Sequence, residues 1–296
     1  MTNLASGEPA SGALPADVDT GRRAEHRDPT AAVPWPLVPF AAVGVAFLGL
    51  PLVGLVLRAP WSRMPELLTS PEALSALRLS LVCSTAATLV SAVLGVPLAW
   101  VLAHGRGRLV APVRAVVTLP LVLPPVVGGI ALLITFGRRG LLGDDVWTRF
   151  GIQLPFTTVA VVMAETFVAM PFLVLTVEAA FRSADARLEE AAATLGAGRV
   201  TVLRTVTLPL VLPSLGAGAV LTWARALGEF GATQTFAGSL PGTTQTLPVS
   251  VYYLLESGDV DGAVALSLVL VAVALAVLLL LRDRWLRPRG VGGGLA

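Results

Sequence analysis

The chain has 296 residues, 55% of them hydrophobic and 14% charged, with a formal net charge of +2 and a mean hydropathy of +0.79. Soluble globular domains carry about 25% charged residues, so the composition excludes a soluble domain and predicts an integral membrane protein with no nucleic-acid partner. All 21 cations are arginine, Cys83 is the only cysteine, and His26 and His104 are the only histidines; lysine Schiff-base chemistry, a GxxxxGK[ST] phosphate loop and intramolecular disulfides are excluded, and no metal site is expected.

Residues 1–32 are polar and rich in Gly, Pro, Ala and Asp, the composition of a disordered tail. They do not read as a secretory signal, whose basic start directly precedes its apolar run. Residues 33–285 are the expected transmembrane domain, and 286–296 a short tail. About 20 apolar residues cross a hydrocarbon core. Six stretches qualify, roughly 35–57, 79–103, 110–136, 157–180, 209–230 and 262–281. The expected fold is an all-α integral membrane protein with six transmembrane helices. The third stretch contains Pro112, Pro120, Pro124 and Pro125 with Gly128 and Gly129, and should be kinked or broken. Irregular backbone at that depth is tolerated only against protein or a water-filled cavity. The stretch is therefore either a pathway wall or a proline-kinked packing helix. The sixth, from Gly262 to Leu281, is almost purely aliphatic and should face lipid over much of its surface.

Arginine placement sets the orientation, because cytoplasmic loops carry the excess of cations. With the N-terminus inside, fourteen arginines fall in inner segments, among them Arg106, Arg108, Arg114, Arg187, Arg199 and Arg204. Six fall in outer segments, and Arg225 lies within a stretch. The bias puts both termini in the cytoplasm, together with the segment between the fourth and fifth stretches.

That segment is polar and helix-forming, set between two apolar runs. Ser183 or Asp185 can cap a helix running through Arg187 to Ala193. Acidic residues in its early turns suit the positive end of the helix dipole. Gly196 permits the left-handed conformation that ends such a helix. A second helix is expected from about Arg199 to Leu208, with Pro209 leading into the next stretch. The product is a helix–turn–helix at the membrane surface. Small alanines let a partner approach closely, and Glu190 offers a carboxylate.

The pattern Glu190, Ala191, Ala192, Gly196, Leu208 and Pro209 resembles the EAA loop of bacterial ABC-transporter permeases. The resemblance implies a cytoplasmic coupling helix between transmembrane helices 4 and 5 that seats in a groove of an ATP-binding subunit. A coincidental EAA on an amphipathic surface helix is the alternative, and the full spacing argues against it.

Arg225 and Glu229 are four residues apart and can pair on one helix face. Pairing offsets the roughly 2.5–3.5 kcal/mol that insertion scales assign to a charge at a helix centre. The pair is either structural or a gate. Glu165, in the fourth stretch, has no cation at i±3 or i±4, so its partner is open. The block from Ala226 to Thr233 looks like the LGEFGAT signature of molybdate-type permeases. Residues Ala237 to Pro248 are similar to that group's AGNIPGxTQTLP, with Ser239 where Asn is usual. Leu121 to Val127 and Phe136 to Gly140 also fit, so the resemblance covers roughly residues 35–285. Sulfate- and thiosulfate-type permeases share the LGEFG core. The GAT and TQTLP elements tilt the cargo toward molybdate, and tungstate carriers are too close to separate.

The resemblance implies the membrane subunit of an ATP-driven importer in the bacterial cell membrane, not itself an enzyme. It implies a second copy of the chain, two cytoplasmic ATP-binding subunits that hold ATP and Mg, and an extracytoplasmic oxyanion-binding protein. No cofactor is expected in this chain. Molybdate is a tetrahedral dianion that accepts hydrogen bonds, and its release must stay easy. Thr233, Gln234 and Thr235 are the candidate donors, and Gly228 and Gly231 allow close backbone approach. Arg225, Glu229 and Phe230 complete the candidate pathway or gate. A secondary transporter would show inverted repeats and midplane coupling acids, and a membrane enzyme would cluster His, Asp or Glu at one face. Neither pattern is visible in the sequence.

Overall fold

The computed structural model describes residues 35–285; the tails expected over 1–32 and 286–296, with His26 and five of the arginines, lie outside it. Every regular element among the described residues is helical. The chain divides after Val53 into two units. A 3-10 turn at Trp35–Leu37 leads into α1 (Val38–Leu57), which is apolar on all sides and buries no residue. An all-round apolar helix of 20 residues matches a bilayer span, where every backbone group is satisfied within the helix.

In the second unit α2 (Met64–Leu68) precedes α3 (Pro71–His104), a helix of 34 residues. It begins eight residues before the apolar stretch expected from 79. The reason is local: Ser70 caps it by accepting from the Ala73 N–H at 3.2 Å, Pro71 occupies the first turn, and Glu72 faces the positive dipole end. Hydropathy marks where a helix becomes apolar, whereas the cap marks where it starts.

The third stretch is not one span. It forms α4 (Val110–Val122) and α5 (Pro125–Phe136), bent by 119°. Pro124 and Pro125 each push the preceding residue out of the helical region. Leu123 and Pro124 accordingly sit extended, at ψ 135° and 132°. The described residues thus hold five helices long and apolar enough to span, and six only if this bent pair is taken as one. Arg114, counted among the inner-segment arginines, lies on α4. The short α6 (Gly143–Phe150) ends at Gly151, with φ +66°.

The axis of this unit is α7 (Thr158–Ser183), capped by Thr157 accepting from the Ala160 N–H. It is followed by α8 (Ala186–Thr194), α9 (Arg199–Val202), a π-turn at Leu203–Thr207 and α10 (Leu208–Leu227). The second loop helix expected to stop at Leu208 does not stop: residues 199–227 form one continuous run. In the π-turn the Leu208 N–H donates to the Leu203 carbonyl, five residues back. The slip comes directly before Pro209, which lacks an N–H and whose ring would collide with the carbonyl four residues back. The chain closes with α11 (Gly231–Phe236), α12 (Leu247–Glu256) and α13 (Val260–Trp285).

Helices α3, α7 and α10 pack through small residues, as membrane helices do where lipid is as apolar as the partner. A Cβ on Gly95 of α3 would lie 3.0 Å from Leu173, and one on Gly218 of α10 would lie 3.2 Å from Thr176. One apolar core, with Leu102, Val117, Val177 and Phe181, lies toward the α8 end of these helices. Another, with Cys83, Leu132, Ala164 and Phe236, joins α3, α5, α7 and α11 toward the other end.

Candidate functional site

The α8 segment is built by its two ends. Asp185 caps the start, its Oδ1 accepting from the Arg187 N–H at 3.0 Å. At the finish, Gly196 adopts φ +86°. There the Gly196 N–H donates to Ala193 and the Ala197 N–H to Ala192, at 3.0 and 3.1 Å. That bond pair is a Schellman closure, and it needs a residue free to enter the left-handed region. Glu190 and Ala191 are exposed, Ala192 is half-buried, and Leu195 is 89% exposed. The six pattern residues therefore separate. Four belong to α8 and its cap, while the half-buried Leu208 and the exposed Pro209 stand at the root of α10.

Two polar groupings near this end have no counterpart in the sequence reading. Thr207, fully buried in the π-turn, donates from Oγ1 to Glu189 Oε1 at 2.6 Å. On α7, the buried Glu178 accepts from Arg114 Nη2 of α4 and from Arg182 Nε, the latter at 2.9 Å. Both arginines also donate to the Leu102 carbonyl near the end of α3, at 3.4 and 3.0 Å. The Glu178, Arg114 and Arg182 side chains together thus tie three helices. Only the Glu178–Arg182 part, at i,i+4 spacing, carried any local signal.

At the other end of α10 the chain turns a corner at Gly228. Arg225 Nη2 stands 2.8 Å from Glu229 Oε2, a charge contact with no N–H among the described residues aligned on that oxygen. Glu229 Oε1 accepts from the Ala232 N–H at 2.9 Å. The side chain of Glu229 is 1% exposed and that of Arg225 30%. Glu229 therefore braces α10 against α11 across the corner. Phe230 packs on Tyr252 of α12, with ring centroids 4.9 Å apart.

The candidate donors differ in what they can offer. Thr235 donates to the Gly231 carbonyl of its own helix at 2.9 Å. Gln234 donates to the Tyr253 hydroxyl at 2.9 Å, while its Oε1 is buried with no partner among the described residues. Thr233 is fully buried, and its hydroxyl is likewise unpartnered. Glu165 of α7 is buried, with Oε2 unpartnered among the described residues.

Helices α5 and α11 interlock through two glycines. A Cβ on Gly231 would meet Pro125 at 3.1 Å and the Val126 backbone N at 3.2 Å. One on Gly129 would meet the Ala232 carbonyl oxygen at 2.8 Å and its Cα at 2.9 Å, and would collide with Thr235 Oγ1. The proline-rich block and the Gly228–Thr235 block, about a hundred residues apart in sequence, thus form one structural unit. Among the described residues, no three His, Cys, Asp or Glu side chains converge as metal ligands would.

The family described as "Binding-protein-dependent transport system inner membrane component" matches residues 92–289. The Molybdenum transport system permease protein ModB of Mycobacterium tuberculosis is 52% identical over 240 residues, covering 81% of this chain and 90% of its own. The protein of the same name from Escherichia coli K12 is 43% identical over 221 residues, covering 74% and 95%. Among solved structures, a bacterial ABC transporter involved in the import of the acidic polysaccharide alginate superposes with a TM-score of 0.68. That match covers 84% of this chain and 92% of that one at 19% identity, a likeness of fold.

Proposed function

The chain belongs to the binding-protein-dependent transport system inner membrane component family, and we propose from that premise that it is the membrane-spanning subunit of an ATP-driven molybdate importer. The observation that carries the reading is α8, a short helix with capped ends and an exposed face, set between two spans that reach into the packed core. An exposed, Ala-rich helix with Glu190 at its surface offers the place where an ATP-binding partner would deliver its energy. Molybdenum transport is what the relatives' names print, and the Gly228–Pro248 stretch carries the elements that resemble molybdate-type permeases.

The assembly that follows has two copies of this chain in the bacterial cell membrane. Two ATP-binding subunits lie on the cytoplasmic side and hold ATP and Mg, and one oxyanion-binding protein lies outside. Arginine bias supports placing both termini and α8 in the cytoplasm. Closure of the ATP-binding pair then drives the two α8 helices together and tilts α7 and α10. At the outer end, the interlocked α5 and α11 move as a unit braced by Glu229. Among the candidate donors, Thr233 and Gln234 hold uncommitted polar atoms, which supports a pathway role for them over Thr235.

The test is reconstitution of the complex in lipid vesicles, with ATP hydrolysis measured against binding protein loaded with molybdate, tungstate or sulfate. Molybdate should stimulate hydrolysis and accumulate inside. Stimulation by sulfate alone would refute the cargo assignment.

A further inference from the structure

The covalent link between α8 and the α9–α10 run is short and carries two glycines, the most conformationally permissive residue. It runs through Gly196, Ala197 and Gly198, and a Cβ at either glycine would meet open space. A push on α8 transmitted through such a link would bend it before moving α10. The structure supplies a second connection. Thr207 Oγ1 donates to Glu189 Oε1 at 2.6 Å, from a fully buried position in the π-turn immediately before α10. A hydroxyl bonded to a carboxylate at this separation is among the stronger kinds of hydrogen bond. The π-turn that holds Thr207 is also of a type often found where a helix does something beyond spanning.

On its other side α8 joins α7 through Ala184 and Asp185, and α7 is tied to α3 and α4 by the Glu178 group. The Glu189–Thr207 bond therefore closes a triangle of α7, α8 and α10 that the two-glycine link leaves open. We propose that this bond is the clamp that makes α8 and α10 move as one piece. Glu189 is then a positioning residue for transport, separate in role from its exposed neighbour Glu190. The inference rests on the permease reading above.

The test uses the complex of this chain with its ATP-binding subunit and binding protein in vesicles, reading molybdate transported per ATP hydrolysed. Thr207→Val keeps the side-chain shape and removes the donor, and Glu189→Ala removes the acceptor. Each should lower the ratio about tenfold, within the range of coupling carried by one charged hydrogen bond. The double variant should lose no more than either single one. Thr207→Ser and Glu189→Gln keep a donor and an acceptor and should stay within about twofold of the unaltered complex. A spin-label pair on α8 and α10 should show a broadened distance distribution in Thr207→Val and an unchanged one in Thr207→Ser. An unchanged ratio in Thr207→Val, or a double variant whose loss is the product of the single losses, overturns the clamp. If Thr207→Val does not assemble, the contrast of Glu189→Ala with Glu189→Gln decides: equal losses overturn the proposal. An unaltered complex with no ATP-driven uptake overturns the permease reading itself, and the clamp with it.

Discussion

Replacing Gly129 by alanine adds one methyl group at the tightest contact between α5 and α11. The new Cβ would meet the Ala232 carbonyl oxygen at 2.8 Å and its Cα at 2.9 Å, and would run into Thr235 Oγ1. The first two are backbone atoms and cannot rotate away, so the helices have to separate by several tenths of an ångström. Overpacking a well-fitted core costs about 1–3 kcal/mol, and a backbone collision belongs at the upper end. At roughly 2–4 °C per kcal/mol for a domain of this size, the apparent Tm of the purified protein should fall by about 6 °C or more. Transport should fall with it, because the displaced element is the proposed outer unit. The same change at Gly216 of α10 is the internal control. Nothing lies within 4 Å of its new Cβ, and alanine is the better helix former by about 1 kcal/mol. Gly216→Ala should therefore leave the Tm unchanged or raise it. Adding Thr235→Ala to Gly129→Ala should recover only part of the loss, since the backbone contacts remain. A Gly129→Ala variant that melts and transports like the unaltered protein would refute the interlock and the reasoning built on it.

Glu178→Ala removes the carboxylate shared by Arg114 and Arg182 and should lower stability by about 2 kcal/mol, less than a fully buried pair because both arginines are 40–50% exposed; a thermal melt in detergent checks it, with Glu178→Gln falling between. Glu229→Gln keeps the acceptor for the Ala232 N–H and loses only the charge contact, so it should cost about 1 kcal/mol, against about 2–3 kcal/mol for Glu229→Ala, which loses both; equal melting temperatures would remove the capping role. Glu190→Ala touches an exposed side chain and should change stability by no more than about 0.5 kcal/mol, while ATP hydrolysis in the reconstituted complex ceases to drive uptake. Gly196→Ala forces alanine into φ +86° at a cost of about 1 kcal/mol and should weaken the coupling between hydrolysis and uptake without preventing membrane insertion, as read by uptake per ATP.

What could be read from the chain alone is what depends on near neighbours. Apolar runs place spans because a bilayer offers backbone groups no partner except their own helix, which is why α7, α10 and α13 fall close to their expected positions. Asp185, Gly196 and the Arg225–Glu229 spacing were legible for the same reason, since caps and i,i+4 pairs act within one turn. The prolines at 124 and 125 announced a break, but not its 119° angle or its partner. That partner is α11, and the fit depends on Gly129 and Gly231 having no side chain where two backbones meet. Glu178 reaches Arg114 across 64 positions, and Glu189 reaches Thr207 across 18. Neither contact leaves a periodic trace, because the chain's turns, and not its spacing, bring those groups together. The sequence by itself determined a helical membrane protein with an exposed capped helix between two core spans. Only the tertiary structure decided which buried charges hold the spans together and how that helix is fastened to α10, since both depend on side chains meeting across helices.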